Sequence, residues 1–264
     1  MKRVPALILV GLFGFVAGGL AQTPDQAPPK PKPGAASKTG AAARAAYDRA
    51  LLHPALLKDK APETYQVKFE TTRGDFTVTV TRAWAPIGAD RFYNLVKHHF
   101  FDSASVFRVV PGFVAQFGLS AYPPVSEAWQ KANLKDDPVT QSNLRGTLTF
   151  ATGGPGTRTT QIFINLKDNV GLDREPSGPF APFGKVDGDG MKVVNMFYDQ
   201  YGDNTPPNFQ DVIAKQGKPY LDRNWPKLDS IKSATLVGAT ATAPAAKPPA
   251  AKPKPAASSA AKPQ

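Results

Sequence analysis

The stretch FRVVPGFVAQFG, residues 107–118, consists of two short apolar runs on either side of a Pro-Gly pair. Val and Phe are typical of strands and Pro-Gly is typical of a turn, so the stretch predicts two closely connected strands. Runs of the same kind lie at 147–151 and 161–166, separated by a loop with three glycines at 153–156. A last apolar run at 231–237 predicts a further strand. Many short strands between turn residues indicate a mainly β domain.

Upstream, the pattern first has a period of two and then a helical period. Apolar residues alternate with polar ones over 67–82, around a turn at 73–75, which predicts a β-hairpin with one buried face. Apolar residues at helical spacing over 86–101, with Pro86 in the first turn, predict a helix. A second helix is expected at 191–198. Together these elements predict a closed antiparallel β-barrel capped by two helices.

The first 21 residues have the layout of a secretory signal peptide. Two basic residues precede an apolar run, and a small-residue ending predicts cleavage after Ala21. The alternative is an uncleaved membrane anchor, which the glycines within 11–21 disfavour. We therefore expect an exported protein, periplasmic or secreted, without stable membrane insertion after cleavage.

The remaining chain divides by composition. Residues 22–43 and 240–264 are rich in Ala, Pro and Lys and are expected to be disordered tails. A single folded domain is expected between them, over 44–239, beginning with a short helical extension. Two long polar stretches inside it, 119–145 and 199–226, are predicted to be functional or locally ordered insertions.

The net charge of +11 does not indicate nucleic-acid binding, because most of it belongs to the two ends of the chain. Residues 47–239 contain 22 basic and 20 acidic side chains and are therefore close to neutral. The basic tails leave weak contact with anionic surfaces as a minor hypothesis. We expect no nucleic-acid partner. We expect the protein to be a monomer.

Several classes of chemistry are disfavoured. The absence of cysteine excludes thiolate catalysis, disulfides and cysteine-ligated metals. The three histidines, His53, His98 and His99, show no supporting constellation for acid–base catalysis. The Asp-Gly-Asp-Gly run at 187–190 lacks the ligand ladder and closing Glu of a calcium loop, and a tight turn is the better interpretation. No metal site and no cofactor are expected.

Several collinear segments resemble the cyclophilin family of peptidyl-prolyl cis/trans isomerases. FRVVPGFVAQFG is similar to the active-site strand pair of that family, and the resemblance covers roughly 65–237 in consistent order. Its other parts are the hairpin at 67–82, FYNLVKHHFFD at 92–102, GTLTFATGGPGTRTTQIFIN at 146–165, FGKV at 183–186 and GMKVV at 190–194.

The resemblance implies a closed eight-stranded antiparallel β-barrel capped by two helices. It implies isomerisation of X-Pro bonds in proline-containing polypeptides, with Arg108 as the catalytic residue. It also implies a substrate-binding set around that arginine. The implied walls of the proline pocket are Phe113, Val114, Phe163 and Leu172, the glutamines beside the arginine are Gln116 and Gln161, and the edge where the substrate backbone pairs is Ala151 and Thr152.

Two positions depart from the family pattern. Gly171 replaces an aromatic residue just before Leu172, and Phe180 stands where a His or Tyr often closes the pocket. These changes are expected to alter substrate preference and inhibitor affinity while leaving Arg108 in place. They keep open a second hypothesis, a peptide-binding module or holdase with little turnover.

Overall fold

The structure is a computed structural model that describes residues 47–204 and 210–238. The expected signal peptide at 1–21, the linker at 22–43 and the tail at 240–264 all lie outside these ranges. Within the described residues, no helix has the length and apolar character needed to cross a membrane.

Eight strands form one antiparallel sheet, as the sequence predicts. They are β1 (Thr64–Thr71), β2 (Gly74–Thr81), β3 (Arg108–Val110), β4 (Val114–Phe117), β5 (Thr147–Phe150), β6 (Ile162–Asn165), β7 (Pro182–Val186) and β8 (Ile231–Val237). Their order in the sheet is β3-β4-β6-β5-β7-β2-β1-β8, so β3 and β8 are the two edges.

A short bridge joins the two edges of the curled sheet. Ser105 and Ser230, which lie just before β3 and β8, form an isolated antiparallel pair. Beside it, the Val106 N–H donates to the Asp229 carbonyl at 2.8 Å. The expected barrel is therefore a strongly curled sheet whose edges meet through this bridge rather than through a full strand ladder.

Aromatic side chains fill the inside of the sheet. Phe69 on β1 lies 5.0 Å from Phe76, 6.3 Å from Phe92 and 5.8 Å from Phe117, measured between ring centroids. All four rings are at most 4% exposed. Burial of this apolar area is the main stabilising contribution, and it fixes which face of each strand points inward.

Helices cover the sheet and occupy both insertions. The described helices are α1 (Pro86–Lys97), α2 (Pro123–Trp129), α3 (Gly190–Val194), α4 (Gln210–Gln216) and α5 (Lys218–Asn224). The first expected helix ends earlier than its apolar pattern, and the second is only five residues long. The remaining three helices, which were not predicted individually, give the insertions the local order expected of them.

The N-terminal extension, whose apolar spacing predicts a short helical segment disturbed by Pro54, is helical only in part. It contains two short 3-10 turns, Arg49–Leu52 and Pro54–Leu56. Pro54 disfavours helical backbone at the preceding residue and has no N–H to donate, which ends the first turn. The extension still belongs to the domain, since Leu51 is 1% exposed and its carbonyl accepts a 2.8 Å hydrogen bond from the Trp129 indole.

Candidate active site

The strand period places the candidate residues on the face of the sheet opposite the core. Successive side chains of a strand point to opposite faces. One row of cross-strand neighbours is buried in the core, namely Val109, Ala115 and Ile164. The adjacent row consists of Arg108, Gln116 and Phe163, which therefore share the outer face of β3, β4 and β6.

Arg108 is held by two side chains. Its Nη1 donates to Gln116 Oε1 at 3.2 Å, and its Nε donates to Asp203 Oδ1 at 2.7 Å. The guanidinium carbon lies 5.7 Å from the centre of the Phe113 ring. With a side chain that is 19% exposed, Arg108 keeps access to solvent while its orientation is restricted.

The two glutamines expected beside Arg108 continue its hydrogen bonding. Gln116 Nε2 donates to Gln161 Oε1 at 2.9 Å, and Gln161 Nε2 donates to Gln210 Oε1 at 2.8 Å. We call the hydrogen-bonded series Arg108, Gln116 and Gln161 the polar row. The structure thus brings together the three polar side chains that the resemblance selected.

The expected apolar residues form a cluster that is separate from the main core. Its buried members are Val114, Phe163, Leu172 and Phe180, and its partly buried members are Phe113 and Ala151. We call this cluster the apolar slot. The rings of Phe163 and Phe180 meet edge to face at 5.4 Å, and the Phe180 N–H donates to the Leu172 carbonyl at 3.0 Å. Phe180 thus belongs to the same cluster as Phe163 and Leu172, and its role in closing the pocket stays a prediction.

The edge at Ala151 and Thr152 is already hydrogen bonded within the protein. The Ala151 N–H donates to the Gln161 carbonyl at 2.9 Å. Thr152 Oγ1 accepts from the Gly154 N–H at 3.0 Å and lies 3.0 Å from Thr157 Oγ1. The Thr152 hydroxyl thus shapes the Gly-Pro loop, and the pairing of this edge with a substrate backbone stays a prediction.

A hydrogen-bonded carboxylate supports the segment that carries Leu172. Asp173 Oδ1 accepts from both the backbone N–H and the side-chain amide of Asn143, each at 2.8 Å. The same amide nitrogen donates to the Phe180 carbonyl at 2.8 Å. Burial alone would raise the pKa of the Asp173 carboxyl, but hydrogen bonds from Ser142 and Asn143 outweigh burial and lower that pKa.

Sequence reasoning missed a second arginine near the apolar slot. Arg158 is 6% exposed, and its guanidinium carbon lies 5.8 Å from the centre of the Phe180 ring. It pairs with Asp136 and donates to the Pro179 carbonyl. Asp203 and Gln210 were missed as well. All three lie in insertions or in a loop, where no periodic pattern indicates which side chains will meet the site.

The residues considered for other chemistry have structural surroundings. Asp187 accepts from Thr79 Oγ1 at 2.8 Å, and its carbonyl accepts from the Gly190 N–H, so this run forms the turn that begins α3. His98 and His99 each contact a single carboxylate. Among the residues that the structure describes, no group of three or more acidic, His or Cys side chains could hold a metal ion.

Comparison with known proteins gives consistent results. The family model described as "Cyclophilin type peptidyl-prolyl cis-trans isomerase/CLD" matches residues 66–218. A peptidyl-prolyl cis-trans isomerase of Acinetobacter baylyi is 32% identical over 173 residues, which cover 62% of this chain and 90% of that protein. Peptidyl-prolyl cis-trans isomerase A of Dickeya dadantii is 31% identical over 163 residues, with coverage of 59% and 82%.

Among solved structures, a cyclophilin-type peptidyl-prolyl cis-trans isomerase of Cryptosporidium parvum is similar with a TM-score of 0.46 and 20% identity. The match covers 66% of this chain and 98% of the other.

Proposed function

The chain belongs to the cyclophilin-type peptidyl-prolyl cis-trans isomerase family and is an isomerase of X-Pro bonds, and from this premise we propose that Arg108 is its catalytic residue. The observation that carries the proposal is that the Arg108 guanidinium is a member of the polar row and also contacts the apolar slot. Arg108 donates a hydrogen bond to Gln116, and its guanidinium lies over the Phe113 ring.

The chemistry of the bond explains why this arrangement suffices. Resonance makes the C–N bond partly double, with a rotation barrier of about 18–20 kcal/mol. In the twisted state the amide resonance is broken, and the nitrogen lone pair becomes able to accept a hydrogen bond. A donor fixed near that nitrogen stabilises the twisted state more than the planar state, which lowers the barrier. No bond breaks, so no nucleophile is needed.

The apolar slot meets the second requirement of the reaction, which is a binding site for the proline ring. A proline ring that packs against Phe113 and Phe163 is held while the preceding carbonyl rotates. The slot contains three phenylalanine rings, one leucine and one valine, and it is distinct from the main core. Apolar side chains of this kind bury a pyrrolidine ring without leaving a polar group unpaired.

The test is the rate of cis-to-trans exchange in an X-Pro peptide, measured with the wild type, Arg108→Ala and Arg108→Lys. We expect Arg108→Ala to lower kcat/KM by about 100-fold, close to the effect of removing one preorganised donor. Arg108→Lys should recover only part of this loss, because an ammonium lacks the planar fork. Arg223→Ala, which changes an exposed arginine on α5, is the matched control and should leave the rate unchanged.

The alternative function has its own signature in the same experiment. If the wild type and Arg108→Ala bind the peptide equally and accelerate exchange equally little, the chain acts as a peptide-binding module or holdase. The two departures at Gly171 and Phe180 are the features that would account for that outcome.

We further propose that the substrates are exported polypeptides, on the basis of the signal-like first 21 residues. Intact-mass measurement of the protein from separated cell fractions tests this proposal. A mature chain that begins at Gln22 outside the cytoplasm is expected. A chain that retains residues 1–21 in the membrane fraction would favour an anchor, and an uncleaved cytoplasmic chain would contradict export.

A further inference from the structure

The C-terminal insertion contacts the polar row through two side chains. Asp203 accepts from Arg108 Nε at 2.7 Å, and Gln210 accepts from Gln161 Nε2 at 2.8 Å. Arg108 and Gln161 are the first and last members of the polar row, so the insertion contacts both of its ends. Asp203 and Gln210 are therefore the two residues through which the insertion at 199–226 could act on the site.

The contact at Asp203 restricts the rotation of the guanidinium. Gln116 alone holds only Nη1, so the planar group could still turn about that hydrogen bond. Asp203 holds Nε, a different nitrogen of the same plane, and two such contacts fix the plane. Neither of these two contacts uses Nη2, which is the nitrogen that we expect to donate to a substrate amide. A fixed donor is more effective than a mobile one, because little reorganisation is needed in the twisted state.

The contact at Gln210 provides the acceptor for the last hydrogen bond of the polar row. A guanidinium can only donate, so Gln116 must present its oxygen to Arg108 and its amide hydrogens to Gln161. Gln161 then presents its oxygen to Gln116 and needs an acceptor for its own amide hydrogens. The side-chain oxygen Oε1 of Gln210 is that acceptor. Without it, the Gln161 amide would lose the contact that fixes its orientation.

We propose that Asp203 and Gln210 are positioning residues for the isomerase reaction, which hold the polar row from its two ends so that Arg108 presents a fixed donor to the X-Pro amide. This inference rests on the proposed role of Arg108. Both residues act through another side chain, and their removal should therefore lower kcat more than it changes KM.

The experiment measures kcat and KM for exchange of an X-Pro peptide by NMR exchange spectroscopy. Asp203→Ala should lower kcat about 5- to 20-fold with KM changed less than about twofold, consistent with the cost of small misplacements in active sites. Asp203→Asn keeps an acceptor oxygen and should recover most of the loss. Gln210→Ala should lower kcat by a smaller factor, and Gln210→Glu should restore it. Asp211→Ala changes the exposed acidic neighbour of Gln210 and should match the wild type.

Ionic strength provides a readout that a purely structural role would not change. The Asp203 side chain is 61% exposed, so salt screens its attraction to Arg108. The wild-type kcat should fall with added salt towards that of Asp203→Ala, whereas Asp203→Asn should show little salt dependence. If Asp203→Ala does not fold, the difference in salt dependence between the wild type and Asp203→Asn still tests the proposal.

The outcomes separate the two proposals. If Arg108→Ala is inactive but Asp203→Ala and Gln210→Ala keep the wild-type kcat, the positioning inference is wrong and the role of Arg108 stands. A higher kcat in Asp203→Ala would also overturn it, because Asp203 would then compete with the substrate for Arg108. Equal rates for wild type and Arg108→Ala would instead remove the proposed function.

Discussion

At the scale of single residues, Gly171 has room for a side chain next to Leu172 of the apolar slot. A Cβ atom built at this position would have no neighbour within 4 Å, and the backbone is not in the left-handed region that favours glycine. The adjacent Leu172 belongs to the slot and is 8% exposed. A larger residue at 171 therefore has both the space and the backbone conformation that it needs.

We expect Gly171→Trp to lower KM for an X-Pro peptide about 5- to 10-fold, since one added aromatic contact contributes about 0.5–1.5 kcal/mol. The change in kcat should be small, because the indole would contact the planar and twisted states alike. Gly171→Ala is the control, since it adds only the Cβ atom. If both variants keep the wild-type KM, position 171 does not face the bound peptide.

At the scale of elements, the turn that carries Leu172 depends on Asp173. The Asp173 carboxylate is tied to Asn143, which also holds the Phe180 carbonyl, so one hydrogen-bonded group supports two walls of the apolar slot. These hydrogen bonds hold the pKa of Asp173 below its ordinary value of 3.8. A depressed carboxyl pKa stabilises the fold at pH values above the unfolded-state pKa, and this contribution is lost as the pH falls through the folded-state pKa.

Asp173→Asn should therefore lower the free energy of unfolding at pH 7 by about 1–2 kcal/mol, since hydrogen bonds to a charged group are lost. The difference from wild type should shrink as the pH falls below about 4, where the wild-type carboxyl also becomes protonated. Denaturant titrations at several pH values measure both effects. Asp189→Asn, which removes a highly exposed pair with Lys192, should change stability little at any pH. A pH-independent difference for Asp173→Asn would contradict the argument.

The elements with a regular apolar period could be predicted from the sequence, and the supports of the site could not. The hairpin of β1 and β2 follows from alternation, because one buried face imposes it. The bounds of β8 match the last strand expected at 231–237. By contrast, Asp203, Gln210 and Arg158 reach the site from segments whose path depends on tertiary contacts. The pocket residues themselves were identified by family resemblance, since an isolated Phe163 or Val114 has the same pattern as a core residue.

At the scale of the whole molecule, one face of the curled sheet forms the core and the other carries the candidate site. The inner face packs against the aromatic core around Phe69, while the outer face of β3, β4 and β6 holds Arg108, Gln116 and Phe163. Alternate residues of the same strands point to different faces, so these strands supply both the core and the site. The first insertion adds Val125 and Trp129 to the core. The first insertion also ties α2 to the N-terminal extension through Trp129 and Leu51.

This tie predicts that the extension is part of the cooperative folding unit. Leu51 is 1% exposed and belongs to the main core, whereas Leu56, five residues later, is 76% exposed. Leu51→Ala should lower the free energy of unfolding by about 2–4 kcal/mol, because it removes buried methyl groups and leaves a cavity beside Trp129. Leu56→Ala makes the same chemical change at the surface and should stay within about 0.5 kcal/mol of wild type. Urea titrations of the full chain followed by fluorescence and by circular dichroism measure both variants. If Leu51→Ala is as stable as Leu56→Ala, the extension unfolds independently of the sheet and contributes nothing to the cooperative core.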